Sequence, residues 1–106
     1  MFIAWTTMPS RAAAQALAGE VVRLGLAACA QIEGPIESYY RWENKPERAE
    51  EFRVMFKCMP DRIVALETHV TRHHPYETPE WIAVRADRIS EKYLSWAGSN
   101  ITNLPP

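Results

Sequence analysis

The chain contains few of the residues that mark specialised classes of protein. Its 106 residues include only two cysteines and four glycines. Two cysteines cannot build a disulfide-rich scaffold, and no glycine-rich segment resembles a phosphate-binding loop. No apolar run approaches the ~20 residues that a membrane-spanning helix needs. These absences argue against a disulfide-stapled protein, a P-loop nucleotide-binding protein and a membrane protein.

The net charge is also close to zero. Twelve basic and 13 acidic residues give a formal charge of −1, so nothing indicates a nucleic-acid or anionic-membrane partner. Met1 leads directly into the apolar segment Phe2–Trp5, without the basic region or cleavage site of a secretory signal. We therefore expect a cytoplasmic protein in which Cys29 and Cys58 are free thiols. The length predicts one domain over residues 1–106.

Hydrophobic periodicity predicts a β-α-β-β-α-β order with a further C-terminal helix. The predicted elements are a strand at 2–7, a helix from Ser10 to Gly25, a strand at 27–42 broken at Gly34-Pro35, a turn at 43–46, a second long strand ending at Cys58, a helix from Pro60 to His73, a strand at 80–86 and a helix at 90–97. This order is typical of an α+β, ferredoxin-like fold, whose antiparallel sheet carries both helices on one face. We expect the tail at 100–106 to be loose unless another subunit holds it.

Such a fold leaves one face of the sheet without helices. The long hairpin nevertheless carries large apolar groups, namely Tyr39, Tyr40, Trp42, Phe52 and Phe56. A bare apolar sheet face and long unpaired strand edges both require cover. We therefore expect a homo-oligomer in which the hairpin packs on neighbouring copies.

The segment His73–Pro79 has the most distinctive chemistry in the chain. It places imidazole, phenol and carboxylate groups between two prolines, which stiffen the backbone on either side. The side chains of His74 and Glu77 suit ions such as Cu(II) and Zn(II). The alternative is that His74 caps the end of the preceding helix and Glu77 pairs with a basic residue.

Other chemistry receives less support from the sequence. His69 and His73 are four residues apart and face the same side of a helix, but a solvent-facing pair is a better interpretation than a metal chelate. His74 and Glu77 could serve as a base and its orienting acid. No activated serine with an oxyanion loop and no metal-hydrolase signature accompanies them. We therefore expect binding and not catalysis.

Six short motifs, in order, resemble those of the CutA family of divalent-cation tolerance proteins. They are Thr6-Thr7, Leu26-Ala27-Ala28-Cys29, Tyr40-Arg41-Trp42, Glu50-Glu51, His74-Pro75-Tyr76-Glu77 with Pro79-Glu80, and Tyr93-Leu94-x-Trp96. The resemblance extends from Phe2 to Trp96. It implies a ferredoxin-like fold assembled as a homotrimer, similar in architecture to the PII signalling proteins. It also implies a link with tolerance to copper and other divalent cations.

The resemblance further implies a site in a cleft between subunits. The metal ligands that it implies are Cys29, His74 and Glu77, for a divalent ion such as Cu or Zn. The implied lining of the cleft consists of Tyr40, Trp42, Tyr76 and Glu80. The resulting hypothesis is a trimeric metal-binding protein involved in metal tolerance or response. The alternative is a PII-like signalling module that takes a small metabolite in the cleft, with metals incidental.

Overall fold

The structure is a computed structural model that describes residues 1–99, so the predicted loose tail at 100–106 lies outside the described residues. The elements in chain order are β1 (Phe2–Met8), α1 (Arg11–Arg23), β2 (Cys29–Trp42), β3 (Lys45–Cys58), a 3-10 turn (Pro60–Arg62), α2 (Ile63–Arg72), β4 (Ile82–Arg85) and α3 (Glu91–Ser99). The predicted α+β order with a C-terminal helix is confirmed. Among residues 1–99, none of the helices is long and apolar enough to cross a membrane.

The four strands form one antiparallel sheet in the order β2-β3-β1-β4. Strand β3 therefore lies between β1 and β2, the two strands that α1 connects. This is the split βαβ arrangement that the sequence predicts. The central strands β1 and β3 are paired on both sides, and β2 and β4 form the edges.

Helix α1 begins and ends where the sequence indicates. The Ser10 hydroxyl accepts a hydrogen bond from the Ala13 amide at 3.1 Å and so caps the first turn. Gly25, just beyond the helix, has a φ of 68°, a conformation that glycine adopts without steric cost. Leu17 and Val21 face the sheet and are buried. The helix is thus held at both ends and along one side.

One face of β3 supplies much of the core beneath the helices. Phe52, Val54, Phe56 and Cys58 are all at most 9% exposed. The expectation that Phe52 and Phe56 lie on the helix-free face was therefore wrong. Alternation correctly groups these residues together, but the grouping does not say which side the helices cover.

Within residues 1–99, the opposite face of the sheet carries an apolar patch whose outer members are about half exposed. Trp5 is aligned with Met55 on one side and Ile82 on the other, and Ile3 is aligned with Val84. Ile82 is 53% exposed and Val84 is 45% exposed. We call these five residues the open-face patch. Its members come from three adjacent strands, so they form one continuous surface.

The β2–β3 hairpin is long and contains one irregularity. Glu43 and Asn44 form its turn with φ values of 51° and 65°, the left-handed pair that suits a two-residue hairpin turn. The predicted four-residue turn is thus shorter in the structure, because Lys45 already pairs with Trp42. The predicted break is confirmed as a register shift between Glu33 and Ile36.

The two glycines Gly34 and Gly19 make a matched test of this packing. At Gly34, φ is +153° and an added Cβ would lie 2.5 Å from Cδ2 of Phe52, whereas Gly19 lies in α1 with nothing within 4 Å. We expect Gly34→Ala to destabilise the fold by about 1–3 kcal/mol through overpacking. Gly19→Ala should stabilise it by about 0.5–1 kcal/mol, because alanine loses less backbone entropy in a helix.

Urea unfolding at one fixed protein concentration measures both effects. Equal changes in the two variants would show that the backbone at Gly34 relaxes freely and that Phe52 does not constrain it.

Candidate functional site

A cleft of about 970 Å³ lies between the β2–β3 hairpin and the loop that precedes β4. It brings together five of the residues named from the sequence, which are Tyr40, Trp42, Tyr76, Glu77 and Glu80. Thr7 and Glu51 also line it. Both follow the strand alternation onto the helix-free side, since their neighbours Thr6 and Phe52 are buried on the other side. The cleft therefore opens on the same face as the open-face patch.

The loop is fastened to the end of β1 by His74. Its Nε2 atom lies 2.9 Å from the Thr7 carbonyl oxygen and 3.1 Å from Thr6 Oγ1, and its Nδ1 accepts the Tyr76 amide at 3.1 Å. This network assigns the proton to Nε2 of a neutral ring. Burial lowers the pKa of His74 and so favours the same neutral form. Thr6 Oγ1 in turn donates to the Glu80 carbonyl at 2.8 Å, which ties down the far end of the loop.

The inner wall of the cleft contains a buried carboxylate, Glu51. Glu51 as a whole is 8% exposed. Its Oε2 atom accepts a hydrogen bond from the Tyr76 hydroxyl at 2.9 Å. Burial, together with this hydrogen bond, raises the pKa of Tyr76, so the phenol remains a donor at neutral pH. Glu51 belongs to one of the six sequence motifs, but the sequence did not predict a role for it in the site. Arg41, near the turn of the same hairpin, donates to the Asn44 carbonyl oxygen at 2.8 Å and not to a carboxylate.

The chain matches the family described as CutA1 divalent ion tolerance protein over residues 2–100. The chain belongs to this family. A relative, the divalent-cation tolerance protein CutA of Yersinia pestis (strain Pestoides F), is 38% identical over 95 residues, which are 90% of this chain and 80% of that protein. The resemblance drawn from the six motifs is confirmed.

Solved structures of the same family are also similar. CutA from Xylella fastidiosa superposes with a TM-score of 0.91 at 30% identity and covers 94% of this chain and 96% of its own. CutA1 from the psychrotrophic bacterium Shewanella sp. SIB1 gives a TM-score of 0.91 at 35% identity, with 96% of this chain and 95% of its own covered.

The three predicted metal ligands of this CutA1-family chain are not brought together within one copy. Cys29 is paired with Lys57, whereas His74 bonds to Thr7, which is paired with Arg53. Four residues of β3 separate these two levels, which is ~13 Å along a strand. Glu77 lies in the cleft. Within residues 1–99, no group of three His, Cys, Asp or Glu side chains could hold a metal ion. A site that uses all three ligands would therefore need a second copy.

The two thiols differ in environment and lie on opposite faces of the sheet. Cys58 is fully buried, and its Sγ lies 3.3 Å from the carbonyl oxygens of Leu26 and Met59. Burial raises the pKa of Cys58 to about 11, so it stays a thiol at neutral pH. Cys29 is half-buried, and its thiol interacts with the Tyr93 hydroxyl. The structure thus leaves Cys29 as the more accessible sulfur.

The pair His69 and His73 lies away from the cleft. The two rings stack at 4.3 Å, and His73 Nδ1 bonds to the His69 carbonyl at 2.8 Å. His69 Nε2 lies 3.6 Å from Glu20 Oε1 on α1, so this ring sits between the two helices. Burial lowers the pKa of His69. The prediction that both histidines face solvent is confirmed for His73, which is exposed, and is wrong for His69, which is partly buried.

His74 makes the stability of the protein depend on pH. Its folded pKa is lowered by burial, while the unfolded chain has the ordinary value of ~6.5. The unfolded state therefore binds the proton more readily, so the contribution of His74 is complete above the unfolded pKa and is lost as the pH falls through the folded pKa. We expect the free energy of unfolding to fall as the pH drops below about 6.5, with a shallower fall in His74→Gln. Urea titrations at several pH values measure this, and identical slopes would contradict it.

Proposed function

We propose that this CutA1-family protein acts in divalent-cation tolerance in the cytoplasm, as a homotrimer that binds metal ions such as copper or zinc without catalysing a reaction. Family membership supports the link with divalent cations. The observation that carries the assembly is the open-face patch. An apolar surface built from three adjacent strands is rarely left in water, because its burial is favourable at roughly 25 cal/mol per Å².

The placement of the ligands also favours an assembly. Cys29 alternates with core-packed Ala30 and therefore lies on the side of the sheet opposite α1 and α2. The cleft that contains Glu77 opens on that side as well. When copies associate through this face, groups at different levels of the sheet can approach one another across the interface. We propose that Cys29 of one copy and Glu77 of another complete the metal site.

His74 is the least available of the three proposed ligands. Both of its ring nitrogens are within hydrogen-bond distance of protein partners. It can coordinate a metal only if it gives up Thr7 or the Tyr76 amide. Glu77, in contrast, has no hydrogen bond or ion pair within residues 1–99. Its carboxylate is free to act as a ligand.

The PII-like alternative receives less support. The family model and the relative from Yersinia pestis both carry divalent-ion names. Of the described residues that line the cleft, none is lysine, arginine or histidine. A phosphate-bearing metabolite would therefore meet carboxylates without any compensating positive charge.

The assembly can be tested with a pair of lysine substitutions. Ile82 is 53% exposed within the open-face patch, and Val64 is 76% exposed on α2. We expect wild type and Val64→Lys to sediment at three times the chain mass of 12.1 kDa. Ile82→Lys should dissociate at low concentration, because a buried unpaired charge is costly. A wild-type monomer, or equal masses for both variants, would contradict the proposal.

The metal ligands can be tested by calorimetry with Cu²⁺ and Zn²⁺ on tag-free protein. We expect Cys29→Ala and Glu77→Gln each to weaken binding by about tenfold or more, since each removes one donor. His69→Ala and His73→Ala provide the matched controls, because this pair lies outside the cleft. Loss of binding only in the two controls would mean that the ions bind adventitiously at the helix surface.

A further inference from the structure

We draw no further inference here: the strongest candidate, the side-chain cluster between α1 and α2 in which the His69 ring stacks on His73 and its buried Nε2 lies 3.6 Å from Glu20 Oε1, carries nothing, because within residues 1–99 these groups do not form a metal site and because burial lowers the pKa of His69 while Glu20 raises it, so that neither a ligand nor the direction of a switch follows.

Discussion

The attachment of the loop before β4 to the end of β1 is the constraint on which the candidate site depends. His74 reaches across to Thr7 with one ring nitrogen and holds the Tyr76 amide with the other. This arrangement places the Tyr76 hydroxyl against Glu51. A single neutral imidazole therefore sets the position of one wall of the cleft and the orientation of its buried carboxylate.

The same sheet face has two regions of different character. At one level, Ile3, Trp5 and Val84 give it an apolar surface suited to another copy of the chain. Further along, Thr7 and Glu51 begin the polar lining of the cleft. Because the two regions are continuous along β1 and β3, the apolar patch and the cleft are neighbouring parts of one surface.

The sequence predicts most of the fold, because the relevant signals are local. Alternation defines β3, Ser10 and Gly25 mark the ends of α1, and the motifs identify the family. The partners of the site residues could not be predicted, because they are distant in sequence. His74 lies 68 positions from Thr6 and 67 from Thr7, and Tyr76 lies 25 from Glu51. For the same reason, the role of Glu51 and the side of the sheet that buries Phe52 followed only from the structure.

The two walls of the cleft differ in mechanical support. Strand β1 pairs with β3 only from Phe52 to Cys58, so residues 45–51 of β3 have β2 as their sole described neighbour in the sheet. Two-stranded ribbons twist and bend more readily than the interior of a sheet. The register shift near Glu33 marks the point at which the β2–β3 ribbon extends beyond the four-stranded sheet. The wall that carries Tyr40 and Trp42 is therefore the compliant one, while the wall beside Thr7 is stiff. A change in the curvature of this two-stranded ribbon therefore leaves the pairing of β1 with β3, and the core beneath it, in place.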